Sequence, residues 1–505
     1  MPSVLAVDLG TSGLKVAVVD EAGTVRAAAS RPLRTIHLPG GGAEQDPHEW
    51  WRLLGECARE VGQAHAGEIV AVAVTSQYMS IVAVDDHGKP LHNAIMWMDT
   101  RGAKHHRHVL ADPEAHALFR DRHGLVPYGY DDQGHIALLR EEHPDVYARA
   151  RAFVEPVDHL NARLAGRICS TQTTAMPLMT VDNRTHGSTA HDPDLVRAAH
   201  LDESKLPPLV PFDEIVGTLT KEAAEHLGLR SSTQVVTGTV DSITSGVGCG
   251  VIDHTTGATI IGTTTVLVTN VDRKAHDDDA GLVSVPSPLP DTWFVMAENG
   301  VGGRALEAWL RIVDVPFEQA EDEARSAPPG SNGVTYFPWL AGSLAPSADI
   351  RTRGGFVNLG LDTTRADMTR AVYEGVALNA AWLLPHVEAM SGTTWPSIRF
   401  GGGGATSALW GQLLADAYDR RVDRLADPRT TNARGAAFLA HVRLGHLALA
   451  DLPGLVTIAA THEPHADAGR TLRDRLAHFV EFHERVRPFY AAMNGRRRGE
   501  TAPSG

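Results

Sequence analysis

An α/β protein of two related domains, each a mixed sheet flanked by helices, with a ligand cleft between them, is what this 505-residue sequence predicts. Three observations carry the prediction. Short β-prone runs alternate with amphipathic helical stretches from the N-terminus onward. A Gly-Thr turn between two such runs occurs twice, at Asp8-Leu9-Gly10-Thr11-Ser12-Gly13 and at Ile261-Gly262-Thr263-Thr264, about half a chain apart. The chain is also too long for one ordinary core and fits two large ones.

Taken in order, Val4–Val7, Lys15–Val19 and Thr24–Ala28 form a meander whose first turn holds the Gly-Thr-Ser. Asp46-Pro47-His48-Glu49 supplies an N-cap, a proline at the first helical position and an acid at the third. Trp50, Leu53, Leu54, Cys57 and Val61 then share one helical face. Strands follow at Ile69–Thr75 and Ile81–Val84. The region 104–229 is rich in helix formers and is expected to be mostly helical insertion. Val235-Val236 restores a strand that leads to Asp241, and Ser242–Gly248 is a small-residue helical link.

From Thr256 the opening arrangement recurs, with Ala258–Ile261 and Thr265–Val268 flanking Gly262-Thr263-Thr264. The boundary is therefore expected near residues 243–256, dividing the chain into domains 1–245 and 246–490, with a disordered tail at 491–505. Ser397–Phe400 predicts a strand, Gly401–Ala405 a turn, and Thr406 onward a helix with Leu409, Leu413, Leu414 and Ala417 inward. Thr431–Ala437 opens a further small-residue helix, suited to packing close under that glycine loop.

Composition narrows the function classes. With 43% hydrophobic and 21% charged residues, and no apolar run near membrane-spanning length, a soluble cytoplasmic protein is expected. Cys57, Cys169 and Cys249 are far apart without CxxC spacing, which argues against a disulfide framework and a zinc site. A net charge of -15 disfavours nucleic acid or an anionic membrane as partner. The basic run Arg496-Arg497-Arg498 sits in the Gly/Ser/Pro-rich tail, and the 26 histidines show no HExxH-type spacing.

Glycine in a turn lets backbone N–H groups approach phosphate unobstructed, and Thr or Ser hydroxyls add donors. Two such turns plus a four-glycine loop at a helix start point to a nucleotide, although neither GxxxxGK[ST] nor GxGxxG is present. Asp8 beside the first turn is placed to hold Mg²⁺ directly or through water, and Lys15 to neutralise phosphate charge. Asp241, at the end of an apolar strand where a helix begins, is a candidate base; its local alternative is an ordinary N-cap. The helix N-terminus is expected to keep it ionised.

With these parts in place the sequence resembles the FGGY carbohydrate kinases, which share the duplicated actin-like (ribonuclease H-like) fold. The likeness rests on Asp8-Leu9-Gly10-Thr11-Ser12-Gly13-Leu14-Lys15, Asp46-Pro47 with Trp50-Trp51, Ala94–Arg101, Gly238–Asp241, Ile261–Thr264, Arg365–Asp367 through Arg370–Ala377, and Phe400–Ala405. It implies phosphorylation by ATP, with Mg²⁺, of a sugar, ketose or polyol hydroxyl, with Asp241 as catalytic base and Asp8 and Asp241 near the metal. It further implies that Gly10, Thr11, Ser12, Gly262 and Thr263 meet the ATP phosphates, that Gly402, Gly403 and Ser407 meet the adenosine, and that Gly302-Gly303 approach the nucleotide from another side. Gln77, Tyr78, Met79, Trp97 and Asp99 are then expected around the sugar, and a homodimer is an expectation by analogy.

Two segments depart from the family pattern. Ser76-Gln77-Tyr78-Met79-Ser80 stands where xylulokinases carry Gly-Gln-Met-His-Gly and glycerol kinases Asn-Gln-Arg-Glu-Thr. Leu340-Ala341-Gly342-Ser343-Leu344-Ala345-Pro346 replaces the usual Gly-Glu-Arg-x-Pro. Both put D-xylulose and glycerol in doubt as substrates, while the general pattern is nearer the xylulokinase-like branch. A nucleotide-driven chaperone or filament subunit on the same core, and a catalytically weakened sugar-binding relative, stay open as alternatives.

Overall fold

The computed structural model describes residues 1–495. Its N-terminal sheet runs, from edge to edge, Ile215–Thr218, Gln234–Val236, Ile69–Ser76, Ser3–Leu9, Gly13–Asp20, Val25–Pro32, with Thr239–Val240 extending the pairing along Ile69–Ser76. The second sheet runs His276–Asp277, Leu282–Pro286, Trp293–Val301, Thr264–Val271, Gly257–Ile261, Ser397–Gly401, Arg421–Leu425, Ile458–His462. Each contains the same unit: an antiparallel meander of three strands whose first strand also pairs in parallel with a later one. That later strand is Ile69–Ser76 for Ser3–Leu9 and Ser397–Gly401 for Gly257–Ile261. The predicted duplication is thus present as two mixed sheets flanked by helices.

The helix Pro47–Gly62 starts where Asp46 accepts the backbone N–H of His48, with Pro47 in the first turn. It lays Trp50, Leu54, Cys57 and Val61 on Leu5, Val7, Val16 and Val18 of the first sheet. Each such side chain buried contributes about 1.5–3 kcal/mol before entropy. The opposite face of that sheet is lined by Val4, Ala6, Ala17 and Val19, and is covered by Ala433, Ala436, Ala437 and Ala440 of the helix Thr431–Arg443. Small residues on both sides let this helix, from the second half of the chain, lie close against the first sheet. Thr364 and Asp367 form a capping box that starts the long helix Arg365–Ser391, which fills the second core.

Two expectations are corrected. The region 104–229 is not chiefly a helical insertion: its Ile215–Thr218 is an edge strand of the first sheet, Ala152–Val154 pairs with Val82–Val84, and its helices are short. Helix formers predominate there, but the apolar pieces are claimed by tertiary pairing. The helix Asp241–Gly248 spans the division at 245/246 and ends within the 243–256 window expected for the boundary. The helix Ala466–Asn494 extends past 490, and Arg496-Arg497-Arg498 lies outside the described residues. The three cysteines are free and buried. Among the described residues no helix is long and apolar enough to cross a membrane.

Candidate active site

Strands Ser3–Leu9 and Gly13–Asp20 pair with Leu9 opposite Leu14 and Asp8 opposite Lys15, and the turn is closed by the Gly10 N–H donating to the Gly13 carbonyl at 3.0 Å. Directly opposed residues of an antiparallel pair share a face. The Lys15 ammonium accordingly donates to Asp8 Oδ2 at 3.0 Å, while Asn432 Nδ2 reaches Asp8 Oδ1 from the Thr431–Arg443 helix at 3.5 Å. Asp8 is buried and Ser12, at the tip of the turn, is exposed.

Thr11 joins this turn to the expected sugar side. Its hydroxyl donates to Gln77 Oε1 at 2.8 Å and accepts the indole N–H of Trp97 at 3.1 Å. Gln45 Nε2 donates to the Thr11 carbonyl at 2.8 Å, and Gln45 Oε1 accepts from Gln77 Nε2 and Trp50 Nε1, each at 3.1 Å. The first glycine turn and the side chains of Gln45, Gln77 and Trp97 are therefore one hydrogen-bonded unit. Gln45 was missed by sequence reasoning, and its only signal was its place just ahead of the Asp46-Pro47 helix start.

Asp241 is carried to the same edge by the strand arrangement. Ile69–Ser76 lies between Ser3–Leu9 and Thr239–Val240, parallel to both. Asp8 and Asp241 therefore stand at the C-terminal ends of strands two positions apart, roughly 10 Å between backbones. Gly238 makes the path possible, since a side chain there would collide with the Val74 carbonyl. Thr75 Oγ1 donates to the Thr239 carbonyl at 2.9 Å and pins the turn into the helix. The N-cap residue of that helix is Val240, with no side-chain capping bond, so Asp241 is its first residue and is not its cap.

Burial foremost, and next the charge of Asp8, push the Asp241 carboxyl up to about 7; the Ser242 N–H and Lys15 oppose this without overcoming it. The expectation that the helix N-terminus keeps Asp241 ionised is corrected accordingly: one short helix does not offset desolvation plus a neighbouring carboxylate. Glycine is again required beneath this helix, where a side chain at Gly435 would strike the Thr244 carbonyl and one at Gly248 the Thr431 carbonyl.

In the second half, three glycine segments converge at the end of the strand Gly257–Ile261. Gly262 and Thr263 are exposed at the hairpin tip, with the Gly262 N–H donating to the Thr264 carbonyl at 2.8 Å. Gly302 donates to the Thr263 carbonyl at 3.1 Å and Gly303 to the Gly262 carbonyl at 2.9 Å. A Cβ on Gly303 would lie 2.6 Å from the Gly262 oxygen. Gly402 adopts φ +79°, where a Cβ would lie 2.6 Å from the Ile261 oxygen, whereas Gly403 faces open space. Ser407 Oγ accepts the Trp410 N–H at 3.1 Å and caps the helix Ala408–Tyr418, so the helix begins later than expected and that hydroxyl is already engaged.

On the sugar side the expectations divide. Trp97 is 40% exposed and bonded to Thr11, so it faces the cleft. Asp99 does not: it is fully buried, and its oxygens take the Arg101 guanidinium at 2.6 Å and the backbone N–H groups of Ala43 and Arg101, each at 2.8 Å. It fixes the loop that presents Trp97. Tyr78 reaches across the cleft and donates its hydroxyl to Met296 Sδ at 3.3 Å, and Tyr128 donates to Met79 Sδ at 2.8 Å. Met79 holds φ 57°, a left-handed position uncommon for a side chain of this size. Leu344 is 39% exposed, and a Cβ on Gly300 would touch it at 4.0 Å. Tyr128, Met296 and Glu298 were not foreseen; an acid directly after the apolar run Trp293–Ala297, still within its strand, was the available signal for the last.

Comparison with known proteins shows the family and the fold. The family model described as "FGGY family of carbohydrate kinases, N-terminal domain" matches residues 3–248, and the corresponding C-terminal domain model matches 257–444. A xylulose kinase of Staphylococcus epidermidis is 31% identical over 464 residues, covering 88% of each chain. Among solved structures, a ligand-bound xylulose kinase from Lactobacillus acidophilus superposes with a TM-score of 0.86 at 22% identity, over 98% of this chain and 100% of that one. A gluconate kinase from the same organism gives 0.86 at 22% identity, over 97% and 99%. Two such different acceptors on one fold mean that the fold alone does not name the sugar.

Proposed function

The chain belongs to the FGGY family of carbohydrate kinases and is an ATP-dependent sugar kinase, and on that premise we propose that it phosphorylates a hydroxyl of a ketose, pentulose or polyol with Asp241 as the base. The observation that carries this is the position of Asp241: at a strand end beside Asp8 and the first glycine turn, with no ion pair among the described residues. A carboxyl near 7 is close to half ionised at neutral pH and is a much stronger base than an ordinary aspartate.

In the proposed reaction the acceptor O–H gives its proton to Asp241 as its oxygen bonds to the γ-phosphorus. The bond from that phosphorus to the bridging oxygen breaks, and ADP leaves with the electron pair. The backbone N–H groups of the Gly10–Gly13 and Gly262–Thr263 turns are the donors proposed for phosphate oxygens, with Gly302 and Gly303 holding the second turn in place and the Gly402-Gly403 segment beside it for the adenosine. The Thr11 unit with Gln45, Gln77 and Trp97 then couples the phosphate side to the acceptor side, the alignment that phosphoryl transfer chiefly demands.

Asp8 and Asp241 fit a Mg²⁺ that arrives with the nucleotide. Among the described residues no group of three or more His, Cys, Asp or Glu is assembled as a cage, and Mg²⁺ is usually held by one or two carboxylates together with substrate phosphates and water. When bound, that ion would neutralise phosphate charge. Asp8, whose position is fixed by Lys15 and Asn432, would hold it together with the phosphates and water. The test is ADP release across ketoses, pentitols and deoxysugars, with Mg²⁺ and with excess chelator. Acceptor-dependent, chelator-sensitive release is expected; release indifferent to every acceptor would favour an ATPase of another kind.

A further inference from the structure

We propose that Glu298 is a specificity-determining residue of the acceptor pocket, which selects neutral polyhydroxy acceptors through their hydroxyl donors and rejects aldonates. This rests on the sugar-kinase reading above and adds to it a wall of the pocket that belongs to the second domain.

The placement follows from strand alternation. Along Trp293–Val301, Val295 and Ala297 point into the core of the second domain. Phe294 and Met296 point the other way, into a cluster that also contains Val240, Ile243 and Tyr78. Side chains two apart on a strand share a face, so Glu298 continues this row past Met296, the residue whose sulfur accepts the Tyr78 hydroxyl. Its charge acts on Tyr78, which Asp241 also influences, and on Tyr128. Glu298 thus faces Tyr78 of the Ser76–Ser80 loop, and Tyr128 beyond it, from the second domain.

Glu298 has no partner of its own. Among the described residues it makes no side-chain hydrogen bond and no ion pair, although Glu and Asp elsewhere in the chain are widely paired with Arg. Burial raises its carboxyl above the ordinary value. A half-buried acid with oxygens unpaired within the protein is hydrated when the pocket is empty, and an acceptor that displaces that water must bring donors of its own. Hydroxyl groups of a ketose or polyol bring such donors, whereas the carboxylate of an aldonate brings none and would set a like charge against Glu298. Tyr78 and Met79, which stand where relatives carry His or Arg-Glu, take charged and imidazole groups out of that segment and leave Glu298 as an acid that faces it.

The test uses the full chain with saturating Mg-ATP and two acceptor sets, neutral ketoses and pentitols against the aldonates of the same carbon number, in wild type, Glu298→Gln and Glu298→Ala. For the best neutral acceptor, kcat/KM should fall about 10- to 100-fold in both variants, as loss of a hydrogen bond to a charged or partly charged group predicts. The fall should lie in KM, with kcat within about threefold and the KM for ATP unchanged, because the residue binds and does not react. The preference for neutral over aldonate acceptors should shrink by at least about tenfold in Glu298→Gln. An unchanged preference in both variants, or a fall confined to kcat, would overturn the proposal while leaving the kinase assignment intact. Turnover of no acceptor by wild type would instead bring down the kinase reading and this inference with it.

Discussion

Replacing Asp241 by asparagine should make the protein more stable at neutral pH while removing its activity. The carboxyl is displaced from 3.8 to about 7 by burial and by Asp8. Between those values the unfolded chain has released the proton and the folded one keeps it, so wild-type stability falls as pH rises through that window. Asparagine keeps the shape and does not titrate. At about 1.36 kcal/mol per pH unit the advantage of the variant has a ceiling of about 4 kcal/mol above pH 7, shrinking to roughly a third of that at pH 5. In a domain of this size that corresponds to a rise of several degrees in Tm at pH 8 and much less at pH 5. Thermal unfolding of both proteins at the two pH values reads it directly. An offset equal at pH 5 and pH 8, or a less stable variant at pH 8, would refute the electrostatic account of this residue.

The same displacement shapes the rate: kcat/KM for the acceptor should fall about tenfold for each pH unit below about 7, and in Asp8→Asn the acidic limb should move to lower pH because a neighbouring negative charge is gone. A limb that stays in place in Asp8→Asn would remove Asp8 from that role. Gly303→Ala puts a methyl 2.6 Å from the Gly262 oxygen and so displaces the second turn; the KM for ATP should rise about tenfold or more with the acceptor KM little changed, measured by titrating each substrate against excess of the other. Gly435→Ala drives a side chain into the Thr244 carbonyl of the Asp241–Gly248 helix and should lower stability by about 1–3 kcal/mol in denaturant unfolding. Thr11→Val keeps the volume but breaks the bonds to Gln77 and Trp97, and kcat/KM should fall about 5- to 100-fold.

Much of this arrangement was legible because turns and strand ends declare themselves locally. Gly10, Gly262 and Gly402 stand where β-prone runs stop, and the recurrence of the hairpin at half the chain length exposed the duplication before any contact was known. The Asp46-Pro47 helix start was equally plain and was found where expected. What stayed hidden depends on residues distant in sequence. Thr11, Gln45, Gln77 and Trp97 are separated by tens of residues and become one unit only when the sheet is assembled. Asp99 looked like a pocket residue until Arg101 and the Ala43 N–H were seen to consume its oxygens. The charge state of Asp241 was misjudged for the same reason: the helix start is visible in sequence, whereas burial and the approach of Asp8 are not.

The most direct test of the account follows the γ-phosphate itself, using ATP labelled at that group with a ketose or polyol that supports ADP release. In wild type the label should appear on the acceptor, and in Asp241→Asn the rate of that transfer should drop by about 10²–10⁴-fold with ATP still bound. Transfer within tenfold of wild type in Asp241→Asn would contradict the assignment of Asp241 as the base.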